Sequence, residues 1–351
     1  MGCSRAPTSG ATPDASKQVR GEGSRPKVIT LNGAGATFPY PLYSKWIAEY
    51  NRIYPHIRIN YQSIGSGGGI QQITKGTVDF GATDAPMKAE EAQKASGKLL
   101  HVPTTLGAVV VTYNLEGVSG PLNLTPETLS GIFLGEIRKW DDAGIARSNP
   151  GVKLPNKDIA VVFRTDGSGT TAVFTEYLAT ISDDFKQKVG VGKSVKWPVG
   201  LGAKGNEGVT GQIKTSPNSI GYVEFAYATQ NKLPTAAIRN KAQQFVLPSS
   251  RGATAAAEGV PMPETLHVSL ANAEGEAAYP LAAYTYLLVY QDAKEPEKGA
   301  ALAKFIWWAI HDGQKLASAL DYAPLPAAVI TQVEAALKTL RAGQKPLLDG
   351  V

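Results

Sequence analysis

Phe163-Arg164-Thr165-Asp166-Gly167-Ser168-Gly169-Thr170-Thr171 lies between two stretches of different pacing. Before it, Ile159-Ala160-Val161-Val162 is short, apolar and β-branched, as a buried strand is; after it, Ala172-Val173-Phe174-Thr175-Glu176-Tyr177-Leu178 is paced as a helix. The strand's carboxyl end thus turns directly into a helix, the repeating unit of an α/β fold. In an open α/β sheet ligands bind at such junctions, because the first N–H groups of a helix lack intrahelical partners and its dipole places partial positive charge there. Gly167 and Gly169 let backbone approach a ligand closely, Ser168, Thr170 and Thr171 add hydroxyl donors, and Arg164 offers a planar fork for two oxygens of one anion. Asp166, the one acidic side chain in the stretch, is placed to hold the guanidinium.

The same residues also describe a solvated turn with a surface Arg–Asp ion pair. Gly167 to Ala172 further fits G-x-G-x-x-A, the dinucleotide fingerprint, which needs an acid about 20 residues on, at the end of a second strand. Asp183 and Asp184 come near that spacing, but Ser182-Asp183-Asp184-Phe185-Lys186 reads as a capped helix start, so the dinucleotide reading is poorly supported.

Outward from this stretch, further glycine-rich junctions appear. Val28 to Leu31 reads as a strand that runs into Asn32-Gly33-Ala34-Gly35-Ala36-Thr37-Phe38-Pro39 and a helix from Pro39 to about Arg52. Ile57, Ile59 and Tyr61 alternate as a strand ending in Ser63-Ile64-Gly65-Ser66-Gly67-Gly68-Gly69 and a helix through Lys75. Val78, Phe80 and Ala82 alternate again before Thr83-Asp84-Ala85-Pro86, a turn that presents an acid, and a helix near Lys88 to Ser96. Long β-type runs at 106–113 and 284–290 bracket the middle of the chain and suggest two crossings between lobes. Thr125-Pro126-Glu127 reads as the cap of a helix reaching Phe133, and Trp140-Asp141-Asp142 as the start of another; a loop from Trp197 to Gly208 precedes a helix near Val209 to Lys214, and Ser219 to Glu224 reads as a strand. Residues 230–276 carry no clear pattern. Helices are expected over 297–312, capped by Gly313, and over 327–340.

The 351 residues suffice for two domains with a sizeable core, and 43% hydrophobic with 19% charged residues is an ordinary globular composition. A formal charge of +5 with no basic run interleaved with aromatics gives no support for nucleic-acid binding. One cysteine excludes an intrachain disulfide, and His56, His101, His267 and His311 form neither C-x-x-C nor H-x-x-x-H patterns, so no metal or cofactor is expected. No stretch approaches the ~18 apolar residues of a membrane span. Residues 1–26 are rich in Ser, Thr, Gly, Pro and Ala and read as a flexible tether. Gly2 directly before Cys3 looks like the lipidation site of a bacterial lipoprotein whose apolar leader has been removed, which would place the protein outside the cytoplasmic membrane.

Taken together, these stretches resemble the PstS family, the phosphate-binding proteins of bacterial high-affinity phosphate ABC transporters. The likeness is carried by Asn32 to Pro39, Ile64 to Gly69, Thr77 to Pro86, Arg164 to Thr170, Lys196 to Asn206 and Ser219 to Ala228, and it spans most of Val28 to Leu340. It implies an α/β fold of the two-lobed periplasmic-binding-protein type (type II), each lobe a mixed sheet flanked by helices and joined by a two-crossing hinge. Lobe I is expected from 27–109 plus 284–345, lobe II from 110–283. By position, the resemblance puts phosphate ligands at Thr37, Phe38 (through its N–H), Ser66, Asp84, Arg164, Ser168, Gly169 and Thr170, with Asp166 pairing Arg164. It implies a monomeric periplasmic or lipid-anchored receptor that hands inorganic phosphate to membrane permease subunits without chemistry. Another tetrahedral oxyanion is the alternative ligand. A phosphatase-like enzyme fits less well, for want of a Walker loop, a metal cluster or a G-x-S-x-G elbow.

Overall fold

In the computed structural model, which describes residues 27–118 and 120–348, the longest strand organises everything else. Cys3 and the expected 1–26 tether lie outside the described residues. Toward the amino terminus come β1 (Ile29–Gly35), α1 (Tyr40–Ile53), β2 (Ile57–Ser63), α2 (Ser66–Lys75), β3 (Phe80–Thr83) and α3 (Ala89–Ala92). The long strand is β4 (Leu99–Asn114), followed by β5 (Asn123–Leu124), α4 (Pro126–Leu134), α5 (Ala143–Ser148), β6 (Ala160–Arg164), α6 (Gly169–Ile181) and α7 (Asp183–Lys188). Then come β7 (Leu201–Ala203), α8 (Gly205–Thr215), β8 (Ser219–Glu224) and α9 (Phe225–Gln230). The unpatterned region holds β9 (Ala237–Arg239), β10 (Phe245–Val246) and α10 (Ser250–Glu258), and the chain closes through β11 (Ala282–Tyr290), α11 (Pro296–Ile310) and α12 (Ala327–Leu337).

One curled mixed sheet runs in the order β2-β1-β3-β11-β4-β8-β6-β7. Its ends are parallel triplets, β2-β1-β3 and β8-β6-β7, and its centre is antiparallel. Parallel strands need helical crossovers, which place a helix amino terminus at the carboxyl end of each strand. β4 reaches across because it is buried without interruption from Val102 to Tyr113. It pairs with β11 up to Ala108, then with β8 from Val109. The ladder slips where Tyr286 faces Pro103 and Thr285 faces Thr105. Pro103 has no N–H to give, Thr104 bulges out, and its carbonyl accepts from Gln314 Nε2 at 2.9 Å instead.

Several expected boundaries move. β4 begins seven residues before 106, because His101, Pro103, Thr104 and Thr105 interrupt the apolar pattern without interrupting the pairing. α3 is four residues long rather than nine, and its amino-terminal cap is Lys88, whose N–H donates to Glu91 Oε2 at 2.8 Å. Gly313 is not a helix cap: α11 ends at Ile310 and a 3-10 turn follows. Gly313 is instead pressed against Trp46, whose indole N–H donates to its carbonyl at 2.7 Å, and a Cβ there would lie 3.1 Å from Trp46 Nε1. The glycine is required by crowding rather than by backbone conformation.

α2 shows why glycines accumulate before the site. Three consecutive glycines cost helix propensity, but each admits a close neighbour: Gly67 the Gly167 backbone, Gly68 the Ile64 side chain, and Gly69 the strands β1 and β3. At Gly69 an added Cβ would fall 2.5 Å from Gly35 Cα and 2.7 Å from the Ala34 carbonyl oxygen. Gly69→Ala therefore forces α2 off the sheet, with an expected loss of about 1–3 kcal/mol of unfolding free energy. Urea denaturation checks this, and an unchanged midpoint would mean that the helix does not sit so close.

Candidate functional site

Every strand-to-helix junction singled out in the sequence arrives at one buried point. Ser66 is the first residue of α2, Ser168 caps α6, Thr37 and Phe38 lie in the turn before α1, and Asp84 follows β3. Thr37, Phe38, Ser66, Asp84, Arg164, Ser168 and Thr170 are each at most 4% exposed.

The contacts are one-directional. Ser66 Oγ accepts the N–H of Gly169 at 3.0 Å and of Asp84 at 3.3 Å. Thr37 Oγ1 accepts from Asn206 twice, from its backbone N–H at 3.2 Å and from Nδ2 at 2.7 Å. Thr170 Oγ1 accepts from Asn206 Nδ2 at 3.2 Å and, at 3.4 Å, from Arg164 Nη1. Ser168 Oγ accepts Thr171 N–H at 3.0 Å. A hydroxyl has two acceptor lone pairs and one proton, so N–H groups on the oxygens turn these hydroxyls into donors toward whatever lies among them.

Arg164 is held edge-on. Nε donates to Asp166 Oδ1 at 2.8 Å and Nη2 to Oδ2 at 2.5 Å, in a pair whose side chains are 1% and 11% exposed. Asp166 is fixed in turn by Gly205 N–H at 3.0 Å. Burial alone would raise the Asp166 carboxyl, but the Arg164 hydrogen bonds and charge prevail and hold it below the ordinary carboxylate value. Nη1 makes only the long 3.4 Å contact with Thr170 among the described residues.

Asp84 is the exception among these donors. Oδ1 accepts the Thr285 hydroxyl at 2.8 Å, while Oδ2 is buried with no partner among the described residues. A Cβ on Gly169 would lie 2.5 Å from both Asp84 Oδ2 and Ser66 Oγ, which places that lone acceptor beside the α6 amino terminus. Burial pushes the Asp84 carboxyl up to about 7, against the Thr285 hydrogen bond and the Arg164 charge. Asp84 does not cap the helix that follows it, since the amino-terminal cap of α3 is Lys88. The arrangement suits an oxyanion that accepts many hydrogen bonds and keeps one proton to give.

Residues from the two sides of the β4 partner change meet here. Gly67 N–H donates to the Gly167 carbonyl at 2.7 Å, Ser63 Oγ to Glu207 Oε1 at 3.1 Å, and Lys193 pairs with Glu91 at 2.8 Å. Sequence reasoning brought Thr37, Phe38, Ser66, Asp84, Arg164, Asp166, Ser168, Gly169 and Thr170 together, but it missed Asn206, Thr285, Tyr227 and Tyr322. Asn206 had a signal, a glycine-rich loop opening a helix; a hydroxyl within a strand and two tyrosines distant in sequence had none. Among the described residues no group of three or more His, Cys, Asp or Glu is placed to hold a metal ion, and no helix is long and apolar enough to cross a membrane.

A family model described as a PBP superfamily domain matches residues 12–312. Phosphate-binding protein PstS of Pasteurella multocida is 48% identical over 313 residues, covering 88% of this chain and 90% of that one. PstS of Methanocaldococcus jannaschii is 40% identical, over 83% and 81%. Among solved structures, a high-affinity periplasmic phosphate-binding protein bound with phosphate superposes with a TM-score of 0.70 at 22% identity, covering 88% and 93%. The phosphate-binding protein of Stenotrophomonas maltophilia gives 0.67 at 19%, over 88% and 94%, and these likenesses show the two-lobed binding-protein fold.

The raised Asp84 carboxyl makes stability depend on pH. Because the folded state holds this proton more tightly than the unfolded chain, the contribution is full below the unfolded value of ~3.9 and is lost as pH rises through about 7. Wild type should lose stability relative to Asp84→Asn between those limits and then level off. Denaturation of the anion-free proteins at stepped pH checks this, and parallel curves would mean that Asp84 is ionised throughout.

Proposed function

This chain belongs to the PBP superfamily and, within it, to the PstS phosphate-binding proteins, and on that premise we propose that it captures inorganic phosphate and delivers it to the permease of a phosphate ABC transporter. It works on the outer side of the cytoplasmic membrane, as a receptor without catalytic chemistry. The observation that carries the ligand assignment is Asp84 Oδ2, one buried acceptor without a partner among hydroxyls turned into donors. Phosphate keeps at least one proton near neutral pH and can donate it to Asp84; sulfate has none, and would set an oxygen against the carboxylate. Thr37, Ser66, Arg164, Ser168, Gly169, Thr170 and the Phe38 N–H supply the donors, and Asp166 keeps Arg164 in place.

Lobe I (27–109 plus 284–345) and lobe II (110–283) close over the ion in this reading. Its support is the change of β4 from β11 to β8 between Ala108 and Val109, and the matching Val109 N–H bond to the Leu281 carbonyl at 2.9 Å just before β11 begins. Small-angle scattering should give a smaller radius of gyration with phosphate than without, and identical radii would rule out closure on a hinge.

Calorimetric titration tests the ligand. Arg164→Ala should weaken phosphate binding by about 2–5 kcal/mol, as loss of one partner from a buried charge pair does. Wild type should reject sulfate by roughly 10⁴–10⁵ relative to phosphate, as sites built around a ligand proton do, and Asp84→Asn should shrink that ratio. No phosphate binding by wild type would sink the proposed function, and an unaltered ratio in the mutant would remove Asp84 as the selecting group.

A further inference from the structure

Behind the Thr37–Phe38 turn lies a second buried carboxyl whose hydrogen-bond partners, among the described residues, include none of the proposed ligand groups. Glu224, at the end of β8, has no exposed surface. Its Oε2 lies 2.9 Å from Ala226 N and 2.9 Å from the Tyr322 hydroxyl, and its Oε1 has no partner among the described residues. The same Tyr322 hydroxyl lies 2.6 Å from the Phe38 carbonyl oxygen. Tyr322 therefore faces two oxygens with a single proton. The Phe38 carbonyl can only accept, so an O···O separation of 2.6 Å requires the tyrosine's proton there. The contact with Glu224 must then be bridged by a proton from Glu224.

We propose that Glu224 is a carboxylic acid rather than a carboxylate, donating to Tyr322 so that the tyrosine's own proton is committed to Phe38, and that Tyr322 is thereby a positioning residue for the ligand-facing turn. This rests on the phosphate-binding reading and deepens it. Tyr227 does the equivalent for the neighbouring residue, its hydroxyl donating to the Thr37 carbonyl at 2.6 Å. The Thr37 carbonyl shares its peptide plane with the Phe38 N–H, so Tyr227 fixes that N–H, while the Phe38 carbonyl precedes Pro39, which has no N–H, and Tyr322 there fixes the carboxyl side of the turn and with it the Phe38 backbone. The Phe38 ring also meets Tyr322 edge to face, with centroids 6.3 Å apart. An ionised Glu224 would compete for the Tyr322 proton and leave two oxygens 2.6 Å apart with nothing between them. The ionisable groups facing Glu224 are Tyr322, Tyr227, Asp321 and Asp84. Burial first, and then the Asp321 and Asp84 carboxyls, favour the neutral acid, against hydrogen bonds from Tyr322 and Ala226.

The test begins with carbon NMR of full-length wild type labelled at glutamate carboxyls, which leaves Asp84 silent. At pH 7, with no phosphate present, one resonance should sit at the protonated position and be missing from Glu224→Gln; if every glutamate reports as carboxylate, the proposal falls. Calorimetry with inorganic phosphate then compares two variants of retained near-ultraviolet dichroism. Tyr322→Phe leaves the buried Phe38 carbonyl unpaired and should weaken binding on the order of tenfold to a hundredfold. Glu224→Gln keeps a neutral donor toward Tyr322 and should lose clearly less. Equal losses, or an unaffected Tyr322→Phe, would overturn the positioning role. If Tyr322→Phe does not fold, the wild-type spectrum still decides the protonation. Wild type that binds no phosphate would count against the proposed function and leave the glutamate spectrum to stand by itself.

Discussion

The direction of a few hydroxyl protons governs this structure. Ser66 Oγ can donate inward only while its lone pairs are engaged, and one of the groups that engages them is the Gly169 N–H, 103 residues away at the amino terminus of α6. Thr37 depends in the same way on Asn206, at the start of α8. Ser66 and Thr37 are thus oriented in part by groups from the other side of the β4 partner change, whereas Ser168 and Thr170 are oriented by Thr171, Arg164 and Asn206 on their own side.

Three buried carboxyls within this small region illustrate how surroundings rather than residue type fix charge. Asp166 is held ionised by the bidentate Arg164. Asp84 has one hydroxyl donor and a more distant positive charge, and titrates near neutrality. Glu224, enclosed by aromatic rings and two other carboxyls, is pushed well above the ordinary range. The gradation follows from the partners each has available: a bound cation, a hydroxyl, and a hydroxyl shared with a carbonyl.

Much of this was legible in the sequence, for reasons that lie in its local chemistry. A strand that ends in glycines and hydroxyls and opens a helix leaves unpaired N–H groups and donors at one spot, so the turns at 32–39, 63–69 and 164–170 could be singled out without a fold, although a solvated turn carries the same local pattern. That Lys88 caps α3 was not legible, because helix starts are decided by a backbone geometry that a sequence does not show. The first half of β4 was invisible for a different reason: Pro103 interrupts its pattern, and Thr104 and Thr105 bond to partners 180 or more residues away, Thr285, Gln314 and Ala323 among them. Tyr322 and Tyr227 join this region through hydroxyls that donate to main-chain oxygens, and no local pattern marks a tyrosine for that.

Gly67 and Gly167 touch through main chain alone, and a Cβ on Gly67 would lie 3.1 Å from Gly167 Cα. Such a seam has no rotamers. It cannot tighten or loosen by degrees, as an interface of leucines or lysines can, and the separation of the two faces is set by atoms every residue possesses. A single methyl at either glycine acts as a wedge whose thickness is passed undiminished to the hydroxyls beside it. The tolerance of the cavity is therefore decided at a spot that need not touch its contents, by the absence of side chains there.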